Sequence, residues 1–179
     1  MPVPDFTIPV FFVYVIESNR GQEILQGFSE GAALKESLKF SGVPAFYQPV
    51  LDRAMLQQAL SQKLLPYCSG YQAFPILHIS AHGCENGIAL TMNEFVSWKE
   101  LAAFLQPLHK QTSGSFLLAV SSCKGLTAVG IALTSPNGPF FGVVGTPENV
   151  SWLYRFLPSA EKRPNDKTSH RRNEGRIRA

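Results

Sequence analysis

Two residues of this 179-residue chain pair a reactive side chain with a suggestive setting, His82 and Cys123. His82 closes the apolar run Pro75-Ile-Leu-His-Ile-Ser-Ala81 and is followed by Gly83. Cys123 follows Ser115-Phe-Leu-Leu-Ala-Val120 and two serines, and leads into Lys124-Gly125. Both runs have the short, β-rich character of buried strands. In open parallel sheets, sites form in the crevice at the carboxyl ends of the strands. If these strands are neighbours, an imidazole and a thiol meet at one edge as a nucleophile and its acid/base partner. Gly83 lets backbone approach closely, so its N–H can point at a developing oxyanion. The competing reading of Cys123 is a small buried hydrophobe at a strand end. His78 shares the strand face of His82 by the period of two. It reads as a satisfied core histidine or as a residue that orients His82.

Other chemistries find less support. A zinc set drawn from His78, His82, Cys84 and Cys123 matches no closed structural spacing, so no metal is expected. Ser121 and Ser122 lack the Gly-x-Ser-x-Gly elbow of serine hydrolases. The stretch 125–145 contains no Gly-x-Gly-x-x-Gly after a strand, which argues against a nucleotide, and no cofactor is expected. Cys68 and Cys84 read as incidental. An odd total of three cysteines leaves at least one unpaired, and a reducing cytoplasm is the default compartment. Neither a signal peptide nor a run of ~18–20 apolar residues is visible, so no membrane is expected. Residues 1–159 hold nine Lys/Arg against ten Asp/Glu, whereas residues 160–179 hold seven against three. The basic excess therefore belongs to a tail, and no nucleic-acid face is expected on the folded part.

The elements that must position these residues alternate between the two periods. Val10–Ile16 reads as a strand buried on both faces. Over 22–41, Ile24, Leu25, Phe28, Ala32 and Leu38 recur near helical spacing, with Gly42 as the stop. Val43–Val50, interrupted by Pro44 and Pro49, reads as an edge strand. Asp52 caps a helix carrying Met55, Leu56, Ala59, Leu60 and Leu64. Pro66–Phe74 reads as a loop. A small hairpin follows around Met92-Asn-Glu94, and Ser97-Trp-Lys-Glu100 is a capping box opening a helix with Leu101, Phe104, Leu105 and Leu108. A short helix over 126–134, a turn at 136–139, a strand over 140–144 and a helix over about 148–157 complete the series. This grammar predicts an α/β domain with a mostly parallel central sheet flanked by helices. It fills residues 1–158, and 159–179 form a basic, disordered tail.

The two motifs, in this order and in these strand contexts, resemble the caspase-like (clan CD) cysteine peptidases, which include caspases, metacaspases, separase and bacterial CHAT domains. His78-Ile-Ser-Ala-His82-Gly83, the hairpin, the capped helix and Ser121-Ser-Cys123-Lys-Gly125 look most like the CHAT group, over about residues 8–155. The resemblance implies a caspase-like fold and a cysteine endopeptidase that cleaves a protein or peptide substrate through an acyl-enzyme. Catalytic His82 and Cys123 would form its dyad, with the N–H groups of Gly83 and Cys123 as the oxyanion hole. Ser121 stands where caspases place Gln and metacaspases Asp to line the pocket for the residue before the cut. Ser121 supports neither preference, and Arg20, near the position of the caspase pocket arginine, reads as a solvated loop arginine or a pocket residue. Ser121 and Arg20 are the substrate-binding candidates. The family fold usually continues beyond the position of Val144, where this chain has one predicted helix and a polar tail. Either the last elements of the fold are missing or a partner supplies them. Because such domains are usually attached to or regulated by other modules, a separate regulatory protein partner is expected. The alternatives are an inactive interaction module of the same fold and an unrelated α/β hydrolase or transferase using Cys123.

Overall fold

Among the described residues seven strands form one mixed sheet, and the helices cover both of its faces. The computed structural model describes residues 10–71, 73–133 and 140–149. β1 (Phe11–Ser18) is flanked by β2 (Ala45–Pro49) on one side and β3 (Phe74–Cys84) on the other. β6 (Leu117–Ser121) pairs with β3, and β7 (Gly142–Gly145) pairs with β6. All four pairings are parallel, giving the order β2-β1-β3-β6-β7. The order reverses between β1 and β3, the point at which doubly wound sheets open a crevice. The short β4 (Gly87–Ala89) and β5 (Phe95–Ser97) add an antiparallel hairpin to the tip of β3. The predicted α/β class with a mostly parallel sheet is thus what the chain forms.

The two faces of the sheet are unequal. One buries Phe12, Tyr14 and Ile16 of β1, Leu77 and Ile79 of β3, and Leu118 and Val120 of β6. Against it pack α3 (Arg53–Gln58, continued as a π turn to Lys63), α4 (Leu65–Tyr71) and α5 (Trp98–Thr112). Leu101, Leu105 and Leu108 of α5 are fully buried at spacings of three and four, so one stripe of that helix meets the sheet. Each such leucine contributes roughly 1.5–3 kcal/mol. The capping box opens α5 as predicted: Ser97 Oγ accepts from Glu100 N–H, and the Glu100 carboxylate accepts from Ser97 N–H. Asp52 likewise accepts from Met55 N–H at 2.7 Å.

The opposite face has a small apolar cluster of Val13, Val15 and Ala45 under α2 (Glu30–Phe40). Toward the carboxyl ends of the strands this face turns polar. The α2 backbone comes close there because residue 31 is glycine. A Cβ on Gly31 would stand 2.9 Å from both Tyr47 Cε2 and Val15 Cγ1. The same face of β3 and β6 carries His78, Ser80 and Ser121, and its alternation leads on to His82.

Two elements differ from expectation. The helix predicted over 22–41 is two helices, α1 (Gly21–Leu25) and α2. Gly27 turns the chain at φ +73°, and Ser29 starts afresh by accepting from Ala32 N–H at 3.1 Å. Local cap chemistry overrides the apolar spacing, and Leu25 is left 89% exposed. The loop predicted over Pro66–Phe74 is mostly α4. Pro66 lies in its first turn, where a missing N–H costs nothing, and Leu65, Tyr67 and Cys68 pack against the core. The other elements stand close to their predicted places, including the edge strand β2 and the 3₁₀ turn and helix α6 (Val129–Leu133) over 125–133. The turn at 136–139, the helix past residue 149 and the tail over 159–179 lie outside the described residues.

Candidate active site

The strands ending in the two motifs are neighbours. Ile79 pairs with Val120 and Ser80 with Ser121 in parallel register. The ladder ends at that last pair, and His82 and Cys123 each follow it by two residues along the chain. Beyond Ser121 the chain turns sharply: Lys124 is left-handed at φ +57°, and Gly125 N–H donates to Ser122 O at 3.1 Å. Only glycine fits this turn, because a Cβ at 125 would stand 2.6 Å from Val120 O. Loop segments after β7 hold it from outside, with Glu148 O accepting from Lys124 N–H and Thr146 O from Leu126 N–H.

Gly83 is the point of closest approach between the motifs. A Cβ there would meet Ser122 Oγ at 2.8 Å, Ser122 Cβ at 2.9 Å and Cys123 O at 3.0 Å. The His82-Gly83 tip of β3 therefore rests directly on the Ser122-Cys123 turn. On its other side, the tip pairs with the hairpin, His82 opposite Ala89 and Gly83 opposite Ile88. The hairpin is fastened to the end of β1, where Thr91 Oγ1 donates to Asn19 O at 2.6 Å. A second fastening comes from α3: Arg53 N–H donates to Glu94 at 2.8 Å, and its guanidinium donates to Phe95 O at 2.7 Å.

His82 is partly open, with a third of its side chain exposed. Its Nε2 lies 2.8 and 3.0 Å from the two carboxylate oxygens of Glu23. Glu23 comes from α1, and its Oε2 also accepts from Arg20 N–H at 2.8 Å. Partial burial works against ionising Glu23. It is outweighed by the hydrogen bonds from His82 and the Arg20 backbone and by the charges of both residues, so the carboxyl is held below the usual glutamate range. A cleft of about 370 Å³ opens beside His82 and is lined by Ser18, Asn19, Arg20, Leu90, Thr91 and Glu94, among others. Arg20 thus shares a cleft with His82.

Ser121 is placed otherwise. Its hydroxyl donates to Glu30 Oε1 at 2.6 Å, and it is not among the residues lining that cleft, nor is Cys123. Ser80 donates to the other oxygen of Glu30 at 2.8 Å. His78 lies 4.0 Å from the same carboxyl. Next to this cluster, buried Glu17 accepts from Gly31 N–H, Tyr47 O–H and Ser29 O–H. Among the described residues the buried polar set is Glu17, Ser18, Glu30, Ser80 and Ser122, all at the carboxyl edge of the sheet or the start of α2. Such groups are tolerated because each has a hydrogen-bond partner.

None of the three cysteines forms a disulfide. Burial pushes the Cys68 thiol up to about 11, which makes it a poor nucleophile. Cys84 is exposed, and Cys123 is intermediate. Among the described residues no group of three or more His, Cys, Asp or Glu is arranged to hold a metal. No helix there is long and apolar enough to cross a membrane.

Glu23 and Glu30 escaped the reading of the sequence. Glu23 carried one usable signal, its place three residues after Arg20 at a helix start. Glu30 carried none, since its partners lie 50 and 91 residues away. The class so defined is an α/β protein with a polar cleft and a thiol turn at the carboxyl edge of its sheet. Comparison with known protein families and with curated proteins finds no match for the chain.

Proposed function

We propose that the protein is a cysteine endopeptidase of caspase-like type, with Cys123 as nucleophile and His82 as acid and base. The observation that carries this reading is the seat of the His82-Gly83 tip on the Ser122-Cys123 turn, at the carboxyl edge of adjacent parallel strands. His82 takes the thiol proton. The thiolate attacks the scissile carbonyl carbon, and the C–S bond forms as the charge moves to oxygen. The N–H groups of Gly83 and Cys123 receive that oxyanion. His82 then protonates the leaving amine as the C–N bond breaks, and water hydrolyses the acyl-enzyme. The substrate lies extended along the open edge. Arg20, in the cleft with His82, is the residue that would meet a substrate side chain. Ser121 is left out of that role, because its hydroxyl is engaged by Glu30 beneath the site.

The test is incubation of the full chain with a proteome, followed by mapping of new N-termini, wild type against Cys123→Ala. Fragments that appear only with wild type support the reading. Identical maps from the two proteins point to a non-catalytic interaction module instead.

A further inference from the structure

We infer that Glu23 is the positioning residue of His82, dictating which ring nitrogen exchanges a proton with Cys123. The inference rests on the dyad proposed above and adds a third member that the two motifs do not contain. A carboxylate accepts hydrogen bonds and donates none. With both of its oxygens within 3.0 Å of Nε2, the proton of a neutral His82 ring belongs on Nε2. Nδ1 is then the basic nitrogen that takes the thiol proton, and the resulting imidazolium keeps its Nε2–H on Glu23. The charge-assisted hydrogen bond strengthens as the ring becomes cationic, which is the state that accompanies the thiolate.

Glu23 is aimed before any substrate arrives. Its Oε2 accepts from Arg20 N–H, so the carboxylate caps its own helix while facing the imidazole. Phe28 N–H donates to Glu23 O at 3.0 Å, and Asn19 Nδ2 donates to Phe28 O at 3.0 Å, which close the α1 arm back toward the end of β1. No residue of α1 is buried. These polar contacts hold a helix with no buried residue, and the Glu23–His82 contact links it to β3.

The experiment uses the full chain and two variants, Glu23→Leu and Glu23→Gln. Glutamine keeps an acceptor for Nε2–H, whereas leucine removes it at similar size. The His82 tautomer is read from ¹⁵N-histidine spectra, and the reactivity of Cys123 from iodoacetamide labelling followed by mass spectrometry, with Cys84 as internal reference. Expected are the Nε2–H tautomer in wild type and in Glu23→Gln, and its loss in Glu23→Leu. Labelling of Cys123 should fall about tenfold or more in Glu23→Leu and be partly restored in Glu23→Gln. Thermal melts check that each variant is folded. A reactive Cys123 and an Nε2–H tautomer that are both indifferent to Glu23→Leu overturn the role of Glu23 alone. A wild-type Cys123 no faster than Cys84 overturns the dyad itself, and this role with it.

Discussion

Two glutamates serve the same sheet edge by opposite means. Glu30 starts α2, is 9% exposed, and joins β3 to β6 by accepting from Ser80 and Ser121. Each of those serines lies two residues before a proposed catalytic residue. Glu23 sits on a five-residue helix with nothing buried and reaches a partly open histidine. The first contact is built into packed structure, and losing it leaves the buried Ser80 hydroxyl without its acceptor. The second is a partly exposed polar contact on an arm with no buried residue, and losing it leaves its partners within reach of water. Stability therefore resides in the Glu30 cluster, and adjustable chemistry in the Glu23 arm.

The largest effect on stability should come from breaking the first region. Glu30→Ala strands the buried Ser80 hydroxyl, worth roughly 1–3 kcal/mol when left unsatisfied in the interior, and frees the half-buried Ser121 hydroxyl at smaller cost. A loss of about 3 kcal/mol, or roughly 6–12 °C in Tm, is expected in a thermal melt. Glu23→Leu should cost about 1 kcal/mol or less in the same measurement, as partly exposed pairs generally do. Equal losses from the two variants would erase the distinction between the regions.

Gly83→Ala should come next. The added methyl meets Ser122 and the Cys123 backbone at 2.8–3.0 Å, so the β3 tip and the thiol turn must part. Overpacking of this kind costs about 1–3 kcal/mol. The informative part is local: Cys123 labelling should change sharply while Cys68 stays slow, because the burial that raises the Cys68 thiol lies elsewhere in the core. A Cys123 rate that ignores the methyl would mean that the two motifs are not in contact in solution.

How legible each region was in the sequence follows from the range of its interactions. The strands ending at His82 and Cys123, the Asp52 cap and the Ser97–Glu100 box were readable because each is specified within a few residues. The pairing of β3 with β6 stood in the sequence only as a condition, and the parallel register meets it. The break between α1 and α2 was missed because Ile24, Leu25 and Phe28 keep a helical spacing that the Ser29 cap and the Gly27 turn overrule. The helical character of 65–71 was hidden because Pro66 looked like a breaker, although in a first turn it is harmless. Arg20 was placed near the site by resemblance, and it does line the cleft beside His82. Ser121 was named from the same resemblance, yet its hydroxyl is held by an acid 91 residues earlier. No local pattern could announce that partner.

The exposed apolar residues of α1 should be nearly silent. Leu25 is 89% exposed, and Leu25→Ala should stay within about 0.5 kcal/mol of wild type in a urea titration. A larger loss would show that α1 is anchored by packing after all, and that its polar contacts are not what holds it.

The smallest effect, and the sharpest on the second region, is in the titration of Glu23. Its carboxyl is held below the usual glutamate range, so the folded chain releases the proton more readily than the unfolded chain does. Such a group contributes stability that is present above the unfolded glutamate value and is lost as pH falls through the lower folded value. The contact with His82 should therefore persist through mildly acidic pH and fail only below the ordinary carboxylate range. Carboxyl ¹³C shifts of the labelled protein would follow it directly. Replacing His82 by alanine removes one hydrogen bond and one charge but leaves the Arg20 N–H on Oε2. The Glu23 midpoint should then rise toward the usual glutamate value without fully reaching it. A midpoint that does not move on His82→Ala would assign the lowering to Arg20 and the helix start alone, and would leave the imidazole without the ionic partner that sets the Glu23 arm apart from the Glu30 cluster.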